Sequence, residues 1–418
     1  MIYDCIIIGG GPAGMLASIC AADMGCKVAV VEKNNILGKK LRITGKGRCN
    51  ITNNCDFDTL MSNIPGNPKF LYSTFKNFSN TDIIAFFNNI GLETVVERGG
   101  RVFPKSQKAG DVAGALVNAI KKNKNITLYM NTCVKDILVE EINDKEKLVK
   151  GVLVSSENGN AQKLYSSKVI CATGGISYPL TGSTGDGYVF AEKFGHSILS
   201  PRASLAALIS DDTFMSELTG LSLRNISVKL KTNNSIVYED FGELLFTGNG
   251  ISGPVILSAS AYYKKGVQTL VSIDLKPALT ENQLYERLQR DFGQFDRKMY
   301  CNSLDKLLPK KLIPVFIKRT GISPTKQVNQ LNKEERMKIV YLLKDFTVNI
   351  SDIDDVKNAI ITAGGVNIKE INPKTMESKL CKGLFFAGEV IDTDGYTGGF
   401  NLTIAFSTGY TAGESVAR

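Results

Sequence analysis

Three glycines at the spacing Gly9-x-Gly11-x-x-Gly14 are the first residues whose types point to chemistry. Gly9 permits a tight strand-to-helix turn, Gly11 lets backbone approach a pyrophosphate, and Gly14 lets helix and strand pack closely. Pro12 and Ala13 suit a first helical turn, where the missing proline N–H costs nothing. That helix end presents free N–H groups and partial positive charge to a diphosphate. Glu32 supplies a carboxylate for ribose hydroxyls, and Lys33 follows it. Glycines at this spacing are common, and context carries the reading. A strand-like run, Tyr3 to Ile8, a helical pattern, Met15 to Gly25, and a second apolar run, Val28 to Val31, fall in the order that dinucleotide binding requires.

Next comes a basic loop in which Gly38, Gly45 and Gly47 alternate with Lys39, Lys40, Arg42, Lys46 and Arg48. Glycine permits close backbone approach, and the cations suit a phosphate or an anionic ring. Lys40, Arg42, Thr44, Gly45, Gly47, Arg48, Cys49 and Asn50 are therefore candidate cofactor contacts; a solvated charged loop is the alternative. A second bare-backbone element follows the apolar run at 169–171: Ala172, Thr173, Gly174 and Gly175, then Gly185-Asp186 before a short helix. Asp186 is either a cofactor contact or a helix N-terminal acid. Near the C-terminus, Leu384 to Ala387 leads into Gly388-Glu389, Asp392, Gly398, Gly399 and a helix from about Asn401. This strand–glycine–acid–glycine–helix order repeats that of the N-terminus.

The stretches GGGPAG, LGKKLRITGKGRCNITN and GGRVFPKSQKAGDV together resemble a family of bacterial NAD(P)/FAD-dependent oxidoreductases. That family includes aminoacetone oxidase and a bile-acid-pathway dehydro-3-oxo steroid reductase, and the resemblance runs to the C-terminus. It implies FAD, held by a Rossmann-like two-dinucleotide α/β domain that an inserted β domain and a small helical domain interrupt. It also implies that Glu389 or Asp392 holds the ribityl chain or a phosphate, and that Phe400, Asn401 and Leu402 point N–H groups at the flavin N1/O2 edge. Val134 contacts adenine through its backbone in the wider fold. Flavin disulfide reductases place a cysteine pair with four residues between them near this point; here five residues separate Cys49 and Cys55, and Cys49 as a packing residue beside the flavin is the better reading. The family has GELLFTHxGxSGP where this chain has GELLFTGNGISGP with Asn249, so the family's His, an acid–base group, is missing here.

Arg101 and Tyr178 are the candidate catalytic residues, although Arg101 pairing with a structural acid is an equal alternative. His196, the only histidine, follows Gly195 and reads as structural. Gly248 to Gly253 is a second literal GxGxxG, with Asp274 21 residues beyond, and fits either a nicotinamide site or a turn before Pro254.

The chain has 418 residues, a net charge of +9, nine cysteines and no tryptophan. That length implies two or three domains. No C-x-x-C pair suggests zinc, and no metal is expected. No leader precedes the first strand and no apolar run reaches about twenty residues, so a cytoplasmic protein without a membrane span is expected. The expected divisions are 1–195 and 346–418 for the FAD domain, 196–278 for the β domain and 279–345 for the helical domain. The expected activity is hydride transfer at flavin N5, as NAD(P)H-linked reduction of an unsaturated or carbonyl small molecule. An oxidase of a small amine or aminoketone using oxygen and a tRNA-modifying or nucleic-acid-binding flavoprotein are the alternatives. The charge permits nucleic-acid contact without requiring it, and a small molecule is the expected partner.

Overall fold

A computed structural model describes all residues except 144, 145, 157, 158, 295 and 296. The chain divides into two units, residues 1–204 with 356–418, and residues 205–355.

The first unit is built on apolar runs of three or four residues. Cys5–Ile8 (β1), Val28–Val31 (β2), Val169–Cys171 (β4) and Leu384–Phe386 (β5) are buried at every position. Such runs suit strands covered on both faces, which is the condition of a parallel sheet. With Ile126–Tyr129 (β3) they form a five-stranded parallel sheet in the order β5-β4-β1-β2-β3. The chain leaves β1 toward β2 on one side, while β4 lies on the other. The carboxyl end of β1 is thus a topological switch point, where open α/β sheets bind ligands.

Two helices complete the layer. Pro12–Asp23 (α1) buries ten of its twelve residues, as a helix apolar all round must. Phe400–Ala417 (α3) packs along it. Gly409 and Gly413 of α3 sit one turn apart against α1. A Cβ at Gly409 would come within 2.4 Å of the Ala13 carbonyl oxygen, and one at Gly413 within 2.5 Å of that of Ala17. Both ends of the chain therefore meet backbone to backbone. Asp186–Lys193 (α2) follows β4.

The second unit is an antiparallel seven-stranded sheet with three longer helices, Glu281–Gly293, Ile313–Thr320 and Lys333–Lys344. Val271 and Ile273 of the sheet share one buried cluster with Leu284, Phe316 and Leu343 of the helices, so the β-rich and helical stretches have a common core. Two strands set the boundaries away from 195/196 and 345/346. Ile198–Ser204 pairs with Ile361–Val366 in the first unit. Phe346–Ile350 pairs with Thr269–Asp274 in the second and buries Phe346, Val348 and Ile350. Among the described residues no helix is long and apolar enough to cross a membrane.

Candidate functional site

Everything in this site belongs to the first unit. The turn after β1 is closed by contact: a Cβ on Gly14 would stand 2.0 Å from the Gly9 carbonyl oxygen, whereas one on Gly11 would meet nothing within 4 Å. The helix end is thus tight on its sheet side and open on the other. Neither α1 nor α3 has a side-chain cap; their N-cap residues are Gly11 and Gly399, the latter at φ 103°. Two unfilled N-termini, each carrying partial positive charge, point the same way along one seam, that of α3 farther along than that of α1, because Gly409 faces Ala13 and Gly413 faces Ala17.

Glu32 is buried at the end of β2. Gly10 N donates to its Oε2 at 2.7 Å, and Asn34 N and Nδ2 donate to its Oε1 at 2.8 and 2.6 Å. Three donors fix the carboxyl oxygens in place and still leave lone pairs for hydroxyls.

A second ionic centre joins four distant segments. Lys40 Nζ donates to Glu389 Oε2 at 2.8 Å and to Ser177 Oγ at 2.7 Å. Ser177 Oγ and Thr362 N donate to Glu389 Oε1 at 2.9 and 2.8 Å. Ile176 N and Ser177 N donate to Thr362 Oγ1. The Lys40 and Glu389 side chains are only 19 % and 16 % exposed, so this pair is screened little by solvent. Glu389 is largely satisfied by protein donors, which leaves Asp392 as the freer acid. Asn67 Nδ2 donates to Asp392 Oδ2 at 2.8 Å.

Several basic residues of the loop are committed elsewhere. Arg48 bonds Glu97 and donates to Gln107 Oε1 at 2.6 Å, with its guanidinium 4.1 Å from the Phe103 ring. Lys33 pairs with Asp186 at 2.7 Å, tying β2 to the first turn of α2. Asp186 is thus a helix N-terminal acid with a cationic partner. Among the described residues Arg42 Nε reaches only the Leu37 carbonyl, at 3.4 Å. Thr44, Gly45 and Gly47 lie in an irregular turn, Leu41–Gly47. It ends beside Cys49, a non-glycine residue at φ 60°.

Burial pushes the Cys49 thiol up to about 12. Cys49 and Cys55 are both free, and Cys49 packs with Met15, Leu41 and Phe406, so Cys49 is a packing residue. The neighbouring Asn50 Oδ1 is buried with no hydrogen-bond partner among the described residues. An orphaned acceptor beside an open helix end is what a cradle for a polar ring leaves.

The remaining elements close around α3. Thr52 Oγ1 and Thr403 Oγ1 lie 2.7 Å apart, and Asn53 Nδ2 donates to the Gly398 carbonyl at 3.1 Å. Phe400 is buried, and Asn401 Nδ2 turns back to the Gly395 carbonyl at 2.7 Å. Leu402 packs outside the Cys49 cluster.

Arg101 lies opposite Asn53 in the small sheet, but its side chain is exposed and Nε donates to the Arg98 carbonyl at 3.1 Å. Tyr178 adopts φ 52°, a costly conformation for a bulky residue, with its ring 6.0 Å from Lys40 Nζ. Ala172 to Gly175 follow β4 against Gly9, where a Cβ would meet the Ala172 carbonyl at 2.5 Å. Val134 pairs with Val154 in a side meander that starts where Thr132 N donates to the Glu32 carbonyl.

His196 is buried, with Nδ1 3.2 Å from Glu370 Oε2 and Nε2 2.8 Å from Ser378 Oγ. It pins two loops together and takes no part in the site. Gly248 to Gly253 is a hairpin: Thr247 pairs with Gly250, leaving a two-residue turn, and Gly250 packs on the Leu208 carbonyl. The nicotinamide reading of that stretch is corrected, because its glycines serve sheet packing and no phosphate loop forms. Ser177, Thr362, Asn67 and Asp394 escaped the sequence reading; no local pattern marks a small polar residue whose partner lies far along the chain.

Comparison with known proteins agrees with this layout. The chain is 29 % identical over 418 residues to a 3-dehydro-bile acid delta(4,6)-reductase of Clostridium scindens, covering 99 % of this chain and 98 % of that protein. It is 31 % identical over 419 residues to a ribosomal RNA dihydrouridine synthase of Haemophilus influenzae, with the same coverage. Among solved structures, the 3-ketosteroid delta1-dehydrogenase of Sterolibacterium denitrificans covers 100 % of this chain and 99 % of its own at a TM-score of 0.56 and 15 % identity, a likeness of fold. The family model described as HI0933-like protein Rossmann domain matches residues 3–415, and the chain belongs to that family.

Proposed function

We propose that the chain is an FAD-dependent oxidoreductase that reduces a carbon–carbon double bond conjugated with a carbonyl, using a reduced nicotinamide as electron source. One observation carries this reading: two uncapped helix N-termini, from opposite ends of the chain, lie along one helix–helix seam, that of α1 at the switch point of the parallel sheet beside buried Glu32 and that of α3 farther along. That is a cradle for one long dinucleotide. Glu32 would take the adenosine ribose, the α1 N-terminus the diphosphate, and Asp392 the ribityl chain. Asn50 and the first turn of α3 would take the ring, whose N1/O2 edge becomes anionic on reduction. The flavin supplies hydride transfer.

The choice of substrate class rests on what two full-length relatives share. A delta-4 bond in a 3-oxo bile acid is conjugated with its carbonyl. Dihydrouridine is uridine with the ring double bond next to a carbonyl reduced. Both names therefore describe one chemical act on different molecules.

The test starts anaerobically. NADH or NADPH should bleach the flavin band of the purified protein, and a conjugated acceptor should restore it. Bleaching by aminoacetone and not by a reduced nicotinamide, with restoration by oxygen and not by a conjugated acceptor, would replace this reading with the oxidase one.

A second reading, uridine within RNA as the substrate, is favoured by where the positive charge lies. Residues 280–345 hold 14 lysines and arginines against 8 aspartates and glutamates, most of the chain's excess. Binding of RNA that weakens steeply with salt would support it.

A further inference from the structure

Tyr178 holds a costly backbone conformation that its side chain does nothing to offset inside the protein. It lies at φ 52° and ψ 59°, in the left-handed region where glycine is the default residue. The turn is clamped there from both sides. Tyr178 N donates to the Lys357 carbonyl at 3.1 Å, and Thr181 N and Oγ1 donate to the Tyr178 carbonyl at 2.8 and 2.7 Å. Glycine would satisfy the same turn without strain. The tyrosine side chain adds no core packing, since it belongs to none of the buried apolar clusters. The residue is 36 % exposed, and among the described residues its hydroxyl has no hydrogen-bond partner. Strain that the fold enforces and does not use points to a ligand.

The segment that carries this ring runs beside the proposed cofactor path. It follows β4 at the carboxyl end of the parallel sheet, where open α/β sheets bind ligands. At one end Ser177 Oγ donates to Glu389 Oε1 and accepts from Lys40 Nζ. Gly388, the residue before Glu389, faces the first turn of α1, where a Cβ on it would stand 2.9 Å from Ala13 Cβ. At the other end the Thr181 carbonyl accepts from Asn34 Nδ2 at 3.1 Å, and that same amide donates to Glu32. The segment thus joins the Glu32 end of the cradle to the Glu389 end. Tyr178 stands at the Glu389 end, next to Ser177, with Lys40 Nζ 6.0 Å from its ring centroid. In the proposed cradle that is the half that takes the ribityl chain and the ring.

We propose that the half-exposed Tyr178 ring is the platform on which the flat conjugated ring of the substrate stacks. The proposal rests on the reductase reading and makes Tyr178 a substrate-binding residue of that site. Stacking on an aromatic face tolerates many partner rings, so one platform suits a 3-oxo-4-ene ring and a uracil base alike. The rigid turn has a purpose here, because a contact surface orients a reactant only when its own position is fixed.

Tyr178→Leu removes the aromatic face, and Tyr178→Phe keeps it. Each holoprotein is reduced anaerobically with one equivalent of dithionite and mixed with rising concentrations of 4-androstene-3,17-dione or of uridine-containing RNA. In Y178L the half-saturating acceptor concentration should rise about 10- to 100-fold, while the limiting reoxidation rate changes less than about threefold. Y178F should recover most of the lost affinity, and Y178L should hold as much flavin per protein as wild type. Independently, Tyr178→Asn, a residue that tolerates left-handed backbone, should unfold at a urea concentration no lower than wild type. An unchanged half-saturating concentration in Y178L, or a Y178F loss equal to that of Y178L, overturns the proposal. So does a lower flavin content in Y178L, which would give the ring to the cofactor, or an earlier unfolding midpoint in Y178N, which would give it to packing. If neither acceptor reoxidises reduced wild type, the reductase reading falls and this proposal with it.

Discussion

Gly409 meets Ala13 so closely that a methyl group on the glycine would stand 2.4 Å from the alanine carbonyl oxygen. This contact holds α3 against α1 and sets the separation of the two N-termini that form the cradle. Gly409→Ala is therefore expected to destabilise the protein by about 1–3 kcal/mol, the usual cost of overpacking, and to lower its flavin content. Denaturant unfolding and the flavin-to-protein absorbance ratio check this together. A variant as stable and as yellow as wild type would show that the helices can separate at no cost.

Glu32 accepts from Gly10 N, Asn34 N and Asn34 Nδ2. Glu32→Ala removes the acceptor and leaves those donors without it. With Glu32 in its proposed place at the ribose, the loss of two hydrogen bonds should weaken FAD binding by about 10- to 100-fold. Titrating the apoprotein with FAD by fluorescence quenching measures it.

Lys40 and Glu389 neutralise each other in a mostly buried setting. Lys40→Met leaves the carboxylate without its cation and should cost about 2–4 kcal/mol, a little under the figure for a fully buried pair. The double variant K40M/E389Q should recover part of that loss. Chemical denaturation of all three proteins forms the cycle, and additive losses would show that the pair is not coupled.

Burial holds the His196 imidazole below its ordinary value, against the opposing pull of Glu370. The neutral ring is favoured when folded, so its contribution to stability is fully present above the unfolded value of 6.5. It is lost as pH falls from there through the lower folded value. The urea midpoint of wild type should drop between pH 7 and pH 5 more than that of His196→Asn. Parallel midpoints for the two proteins would contradict this.

Much of the first unit could be read from the chain itself. The runs CIII, VAVV, VIC and LFF are buried on both faces and can be little but parallel strands. Gly9, Gly14 and Glu32 sit where the dinucleotide pattern puts them, and His196 is a packing residue. Charged residues were harder to place. Lys33 and Arg48 look free along the chain, yet Asp186 and Glu97 occupy them, because a cation's partner is chosen by folding and not by spacing. The domain edges were hidden for a similar reason. Ile198–Ser204 has the pattern of any strand, and only its pairing with Ile361–Val366 assigns it to the first unit.

The parallel sheet takes β4 from residues 169–171 and its neighbour β5 from 384–386. While a ribosome is still making the residues between, β4 is an open edge and α1 shows apolar surface that α3 will later cover. Such a half-built layer invites wrong strand partners. Synthesis through the second unit is thus an interval of exposure, and the layer is complete only on the arrival of α3.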